Sequence, residues 1–145
     1  MWQEYGPYLA FGAALVSMLG SLYYSEIAGF VPCTLCWYQR ILMYPLTVIT
    51  LVGILSRDRY LPYYALPLSV TGMGLSTYHY LIQLGVIGHT AACAMGVPCG
   101  LRYVNYLGFV TIPLMALTGF VLVTGSMVLI LWAAARTRPT HQTGE

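Results

Sequence analysis

The sequence predicts an all-α membrane protein, a four-helix transmembrane bundle, and three observations lead to this fold class. Of its 145 residues, 59% are apolar and 7% are charged, whereas about a quarter of the residues are charged in ordinary soluble domains. The uncharged runs are long compared with the roughly 20 apolar residues that cross a bilayer as a helix. Most tyrosines and tryptophans lie near the ends of these runs, and such amphipathic rings favour the membrane interface. The uncharged runs cover residues 5–25, 41–56, 60–101 and 103–135.

These runs divide into four predicted spans within a single integral membrane domain, residues 1–145. The run 60–101 is long enough for two helices, but its second half, GHTAACAMGVPCG, is rich in glycine, proline and small residues, which predicts a loop. Residues 85–106 are therefore predicted to form a loop between the last two spans. Residues 136–145 are predicted to be a C-terminal tail, of which the last eight, RPTHQTGE, are predicted to be disordered. The predicted spans cover about residues 7–27, 34–55, 62–84 and 107–133.

Arginines set the predicted orientation in the cell membrane. Arg57 and Arg59 lie between the second and third spans, and Arg136 and Arg138 follow the fourth. Because positive residues of short loops favour the cytoplasmic side, both termini are predicted to be cytoplasmic and the loop 85–106 extracytoplasmic. The net charge of +2 is small and gives no indication of binding to nucleic acid.

All the cysteines fall on the predicted extracytoplasmic side of the membrane. Disulfides persist outside the reducing cytosol, so the number and placement of the cysteines fit two disulfides. The first pair has C-x-x-C spacing at a predicted helix start, and the second pair brackets Gly96 and Pro98, whose turn brings the two Cα atoms within about 7 Å. The cysteines are Cys33, Cys36, Cys93 and Cys99.

The stretch VPCTLCWYQR, residues 31–40, joins the first pair to a charge. A thiol at a helix N-terminus feels the positive end of the helix dipole, and Cys36 and Arg40 are four residues apart, so they share a helix face. Both effects favour the thiolate, which is the reactive form in disulfide exchange. The motif therefore predicts a redox-active pair with Cys36 as the activated member.

Two polar residues are predicted to lie at one depth below this pair. An arginine within a span costs several kcal/mol at mid-bilayer and is usually functional, although Arg40 could instead reach toward the headgroups. His79 lies about six residues from the loop, or about 9 Å along a helix, and the alternative for it is a hydrogen bond between helices. Glu26, at the outer end of the first span, is either solvated or paired with Arg40.

Two other interpretations of the cysteines are a zinc site and a pair of structural disulfides. A four-cysteine zinc site is disfavoured, because a C-x5-C pair is not the usual second half of such a site, and no metal site is predicted. A non-enzymatic membrane scaffold with two structural disulfides remains an alternative. However, a C-x-x-C ring closes a very short loop and gains little stability from it, so it suits redox exchange better.

The sequence resembles the DsbB/BdbC family of disulfide bond formation proteins, and its BdbC branch in particular. The resemblance covers nearly the whole chain, and the C-x-x-C followed by an arginine on the second span is its most specific element. A vitamin K epoxide reductase-like enzyme is a further alternative, but its C-x-x-C lies in the last part of the bundle. The similar segments are PCTLCWYQR at 32–40, TYHYLIQLG at 77–85, CAMGVPC at 93–99 and RYVNYLGFVTIPLMAL at 102–117.

The resemblance implies a thiol–quinone oxidoreductase. Such a protein takes electrons from a DsbA/BdbD-like thioredoxin-fold thiol oxidase and passes them to a membrane quinone, menaquinone or ubiquinone. The family pattern implies that Cys93 and Cys99 exchange with this partner and that Cys33 and Cys36 are reoxidised by the quinone. It further implies that the quinone is contacted by Cys36, Arg40 and His79. Only five residues separate the second pair, fewer than in the best-known members, so the docking surface for the partner is expected to differ.

Overall fold

A computed structural model describes residues 2–88, 91–94 and 96–137. It contains four long helices, which confirms the predicted all-α, four-helix class. Helix α1 contacts α2, α2 contacts α3, α3 contacts α4, and α4 returns to pack against α1, so the four helices form a closed bundle. The helices are α1 (Trp2–Leu22), α2 (Thr34–Ser56), α3 (Leu61–Gln83) and α4 (Ile112–Thr137), with a π-helical turn at Tyr23–Ile27 and a 3-10 turn at Ala91–Cys93.

Three of these helices are long and apolar enough to cross a membrane: Gln3–Ile27, which includes the π-helical turn, Thr34–Ser56 and Ile112–Thr137. Helix α3 covers the predicted span 62–84 almost residue for residue and has sufficient length, but its composition is less apolar. Composition and length therefore support three of the four predicted spans. The predicted orientation of the termini stays a prediction.

The lower apolarity of α3 comes from polar side chains on one buried stripe. Ser69, Ser76, His79 and Gln83 are all buried and recur at intervals of three to seven residues, so they share the face that packs into the bundle. The opposite face exposes apolar side chains such as Val70. The stripe thus points at the other helices, while the exposed Thr71 and Thr77 donate their hydroxyl groups to backbone oxygens of α3 itself.

The bundle core is apolar and closely packed. Gly72 on α3 lies against the ring of the fully buried Phe120 on α4, where a Cβ atom would overlap the ring. Outside the core, many large apolar side chains are exposed, as expected of a surface that lipid rather than water covers. The buried core residues are Ala10, Ala14, Met43, Leu46, Leu61, Ala65, Phe120, Val123 and Met127.

Helix α4 begins later than the sequence predicts, at Ile112 rather than at residue 107. The backbone before it forms a tight turn, in which Leu107 and Gly108 have positive φ angles and Tyr106 pairs with Val110. A helix cannot pass through residues with positive φ. At its other end α4 continues to Thr137 and so includes the first two residues of the predicted C-terminal tail. Residues 138–145, for which disorder is predicted, lie outside the described part of the chain.

Candidate functional site

The first cysteine pair lies at the start of α2. Cys33 is the cap residue with an extended backbone, and Cys36 lies in the first turn. Both are thiols, with their sulfur atoms 3.2 Å apart. The expectation of two disulfides is therefore wrong for this pair in the structure. The helical turn holds the two sulfurs together without a bond, which agrees with the small stabilisation expected from so short a ring.

The second pair forms the expected disulfide. Cys93 and Cys99 are bonded, with their Cα atoms 5.4 Å apart, and both are buried. Gly96 lies between them with a φ of +95°, a conformation that glycine adopts without strain, so it provides the turn. A site with four cysteine ligands is excluded here, since two of the sulfurs bond to each other.

The two pairs share one buried cluster at the same end of the bundle. Its core contains three of the cysteines, and the fourth, Cys36, packs against it. Helix α2 contacts the 3-10 turn that carries Cys93, so the loop of the second pair folds back over the helix start of the first. This arrangement brings thiols and disulfide into one cluster, as thiol–disulfide exchange between them requires. The buried members are Cys33, Leu35, Ile82, Cys93 and Cys99.

His79 lies between the two pairs. Its Nε2 atom is 3.6 Å from the sulfur of Cys33 and 3.1 Å from the carbonyl oxygen of Cys99. On the other side of the ring, Nδ1 lies 3.1 Å from the side-chain amide nitrogen of Gln39. The interhelical hydrogen bond that was the alternative for His79 is therefore present, and the same ring also reaches the thiol.

These contacts determine where the histidine proton lies. The amide N–H of Gln39 donates to Nδ1, so the ring proton is on Nε2 and points at the Cys99 carbonyl and the Cys33 sulfur. A hydrogen bond to a sulfur atom favours its thiolate form. The sequence identifies Cys36 as the activated cysteine, but in the structure the imidazole lies against Cys33.

Arg40 is held by the end of α1. Its guanidinium donates to the backbone oxygen of Ser21 at 3.1 Å and to the hydroxyl of Ser25 at 3.4 Å, and it lies over the Trp37 ring at 5.3 Å. Ser25 belongs to the π-helical turn, an element that is frequent at functional sites. Glu26 is exposed and accepts a hydrogen bond from Ser25, so the hydroxyl of Ser25 lies between the two charged side chains.

A cavity of about 480 Å³ opens beside the thiol pair. Its wall is mostly apolar and is built from α1, the α1–α2 connection, α2, the end of α3, the loop after the disulfide and the start of α4. Cys33, Cys36, Arg40 and His79 all line it. The structure thus brings these predicted site residues to one cavity, while Cys93 and Cys99 lie behind it in the cysteine cluster.

Aromatic rings form one side of this cavity. Tyr24 stacks on Phe30, with ring centroids 6.0 Å apart, and Phe30 stacks on Tyr103 at 4.9 Å. All three rings line the cavity. The stack joins the π-helical turn after α1 to the loop that follows the disulfide.

Several polar residues of the site were not predicted from the sequence. Gln39 orients His79, and Gln83 donates through its amide nitrogen to the backbone oxygen of Leu101 at 3.0 Å. The hydroxyl of Tyr44 and the Oε1 atom of Gln83 are buried without a hydrogen-bond partner among the described residues. A glutamine within an apolar span is unusual, so the sequence could have indicated Gln39 and Gln83 as site residues. Tyr44 could not be recognised in this way, because tyrosines are common in this chain. The polar lining residues that the sequence did not single out include Gln39, Tyr44, Gln83 and Arg102.

A helical membrane bundle with a dithiol at a cavity and a disulfide packed behind it defines a class, the membrane disulfide oxidoreductases. Comparison with known proteins agrees with this class. A family model described as "Disulfide bond formation protein DsbB" matches residues 4–133. The chain belongs to this DsbB family of disulfide bond formation proteins.

Individual relatives point to the branch of the family that the sequence resembles. A probable disulfide formation protein C of Halalkalibacterium halodurans is 52% identical over 119 residues, which cover 81% of this chain and 87% of the relative. The disulfide bond formation protein C of Bacillus subtilis is 46% identical over 125 residues, covering 85% and 90% of the two chains. No solved structure matches the chain.

Proposed function

We propose that the protein is a thiol–quinone oxidoreductase of the cell membrane, which reoxidises a DsbA/BdbD-like thioredoxin-fold thiol oxidase and passes the electrons to menaquinone or ubiquinone. One observation carries this proposal. The Cys33–Cys36 dithiol opens into an apolar cavity beside a guanidinium group, while a second cysteine pair packs against it from behind. The second pair, once the partner has reduced it, can pass electrons to the first pair from one side, and the cavity has room for an apolar electron acceptor on the other.

The cavity suits a quinone ring. Its volume of about 480 Å³ lies within the usual range of small-molecule sites, and its wall is mostly apolar. Arg40 supplies a cation. The hydroxyl of Tyr44, which has no hydrogen-bond partner among the described residues, supplies a donor that a carbonyl oxygen would satisfy. When bound, a quinone accepts two electrons and two protons from the dithiol. We assign the ring contacts to Cys36, Arg40 and His79, with Tyr44 as an additional donor.

The residues around the dithiol have distinct tasks in this proposal. The imidazole of His79 faces the Cys33 sulfur and stabilises its thiolate, which leaves Cys36 facing the cavity. Negative charge that develops on the acceptor oxygens in a low-dielectric cavity is stabilised by the guanidinium of Arg40. The hydrogen bonds from Arg40 to Ser21 and Ser25 hold this charge in place before the reaction.

Electrons enter through the second pair. The partner's dithiol reduces the Cys93–Cys99 disulfide through a mixed disulfide, and the resulting two thiols reduce an oxidised Cys33–Cys36 pair by exchange. Each exchange moves two electrons and two protons from a dithiol to a disulfide. The pairing in the structure, with Cys93–Cys99 bonded and Cys33 and Cys36 as thiols, corresponds to the stage after this transfer. Since DsbA-type oxidants have potentials of about −120 mV, only a comparably or more oxidising acceptor can complete the cycle.

The proposed orientation places the cysteines on the extracytoplasmic side. Arg57 and Arg59 lie in the α2–α3 connection and Arg136 in the last turn of α4, at the opposite end of α2 from the thiol pair. The positive-inside rule assigns that end to the cytoplasm. Helix α3 is proposed as the fourth span, because its polar side chains face the bundle and its exposed side chains are mainly apolar.

The proposal is tested by following quinone absorbance in detergent, with a reduced DsbA-type protein as the electron donor. We expect turnover by the wild type and none by Cys36→Ser. The control is Ser56→Ala, at the far end of α2, whose hydroxyl bonds only locally to Val52; it should retain the wild-type rate. Normal turnover by Cys36→Ser would overturn the site assignment. Absence of turnover in the wild type with either quinone would favour the structural scaffold.

A further inference from the structure

We propose that the reduced protein binds a divalent zinc-type metal ion at Cys33, Cys36 and His79. The two sulfur atoms and a ring nitrogen of His79 lie within 4.8 Å of one another, so a single ion can contact all three. Two thiolates and an imidazole are the ligands that zinc prefers in proteins. This set differs from a four-cysteine site, because it uses only the thiol pair and leaves the Cys93–Cys99 disulfide intact.

Two of the three distances between the ligand atoms are close to those of a tetrahedral site, and the third, from the Cys36 sulfur to the His79 ring, is within 4.8 Å. Bonds of about 2.3 Å to sulfur and about 2.0 Å to nitrogen place tetrahedral ligands about 3.5 to 3.8 Å apart. The Cys33 sulfur lies 3.6 Å from Nε2 of His79, which already meets this distance. The two sulfurs, at 3.2 Å, must move apart by a few tenths of an ångström, and Cys36 faces open cavity space that allows it.

Charge balance favours a divalent ion here. Cys33 and His79 are almost completely buried, and an uncompensated charge in such a place is costly. A divalent ion with two thiolates and a neutral imidazole gives a site without net charge. Binding releases the two thiol protons to water, so the reaction converts two thiols and one free ion into a neutral complex and two protons. With three protein ligands, the fourth position remains for a water molecule in the cavity.

Gln39 contacts the ring nitrogen of His79 that faces away from the proposed metal, and so orients the ring. A metal at Nε2 requires the ring proton to move to Nδ1, where Gln39 now donates its amide N–H. Rotation of the amide by half a turn presents its oxygen instead, and this oxygen accepts the Nδ1 proton. Such partners orient metal-binding histidines, and their loss typically lowers metal affinity about 10-fold to 100-fold. The contact predicts a graded effect of Gln39 on binding.

The site exists only in the dithiol state. A Cys33–Cys36 disulfide has no thiolate to offer, so oxidation releases the ion, and the bound ion in turn blocks oxidation of the pair. Metal binding is therefore a redox-dependent property that does not require quinone or a protein partner. A failure of metal binding would be seen in a metal titration, whereas a failure of the proposed oxidoreductase activity would be seen in the quinone assay.

The experiment is a Co²⁺ titration of the purified full chain in detergent, followed by absorbance of the tetrahedral thiolate complex, with Zn²⁺ as the competitor. The protein carries Cys93→Ser and Cys99→Ser, so that reduction exposes only the first pair. We expect one equivalent bound by reduced protein and none by oxidised protein. Cys33→Ser and, separately, Cys36→Ser should remove the binding, and Gln39→Leu should weaken it about 10-fold to 100-fold.

A second measurement on the wild-type cysteines keeps the test independent of how the variants fold. Zn²⁺ should protect Cys33 and Cys36 of the reduced chain from alkylation, and a chelator should make both residues reactive again. Mass spectrometry measures the alkylation of each residue. Stoichiometric binding that survives in Cys33→Ser, or unchanged alkylation of both residues in saturating Zn²⁺, would overturn the proposal.

Discussion

The imidazole of His79 lies beside the thiol of Cys33, with Nε2 3.6 Å from the sulfur atom. The same nitrogen is 3.1 Å from the carbonyl oxygen of Cys99, so one side chain contacts both cysteine pairs. A change in the charge of the Cys33 sulfur therefore alters a hydrogen bond that also holds the loop of the second pair. This contact gives the two cysteine pairs a direct physical connection through the end of α3.

Replacing the ring of His79 should destabilise the protein as well as slow the proposed reaction. The His79→Leu substitution leaves the buried amide of Gln39 and the carbonyl of Cys99 without their present partner. Unpaired buried polar groups cost about 1 to 3 kcal/mol each, so we expect a clear fall in the thermal unfolding temperature in detergent. Gln39→Leu removes only one contact and should cause a smaller fall. Equal stability of His79→Leu and the wild type would contradict the role of this contact.

Arg40 should be required as an arginine and not merely as a positive charge. Its fork of donors reaches Ser21 and Ser25 together, which a single ammonium group cannot reproduce with the same geometry. For Arg40→Lys we expect a quinone KM raised about 10-fold, which corresponds to about 1.4 kcal/mol of binding. Ser25→Ala removes one of the two hydrogen bonds and serves as the graded comparison. Steady-state kinetics with varied quinone measure both; an unchanged KM in Arg40→Lys would argue against this role.

Two glycines of α3 provide a matched pair for testing the packing of the bundle. A Cβ atom at Gly72 would overlap the ring of Phe120, whereas a Cβ atom at Gly74 meets open space. Overpacking of a core costs about 1 to 3 kcal/mol, so Gly72→Ala should lower the unfolding temperature. Gly74→Ala should leave it unchanged or raise it, since alanine favours a helix by about 1 kcal/mol over glycine. The prediction is wrong if the two variants unfold at the same temperature.

Much of the fold could be predicted because the bilayer constrains it strongly. The lengths of the uncharged runs determined the number of helices, and the predicted bounds of α2 and α3 differ from the observed ones by a residue. The start of α4 was missed, because the turn at Leu107 and Gly108 depends on backbone angles that an apolar run does not reveal. Composition alone does not identify α3 as a span. Its buried polar residues lower the mean hydropathy of the helix, although they face the bundle.

The site could be predicted in part, for a similar reason. Cys33, Cys36, Arg40 and His79 are unusual residues in apolar surroundings, and the structure gathers them at one cavity. Which cysteine the histidine faces depends on how α2 and α3 are rotated relative to each other, and spacing along one helix cannot give this. The sequence predicts no metal site, because spacing along the chain does not show that residues of α2 and α3 meet. The structure brings two sulfurs and a ring nitrogen together there.

The turn between α2 and α3 gives a prediction about pH. The carboxylate of Asp58 accepts hydrogen bonds from the Tyr64 hydroxyl at 2.6 Å and from the backbone N–H of Tyr60 at 2.8 Å. These bonds, the first above all, hold the pKa of Asp58 below its ordinary value. Because this pKa is lower in the folded than in the unfolded chain, the carboxylate stabilises the fold at neutral pH. The stabilisation is lost as pH falls below about 4 and through the folded-state pKa.

We therefore expect Asp58→Asn to unfold at a lower temperature than the wild type at neutral pH, with a difference that shrinks as the pH is lowered toward acid. Tyr64→Phe removes the larger of the two contributions and should show the same dependence on pH. The matched control is Tyr63→Phe, at a neighbouring exposed ring, which should be insensitive. Thermal unfolding in detergent over a series of pH values measures all three. A difference for Asp58→Asn that stays constant across the series would show that the carboxylate charge does not stabilise this turn.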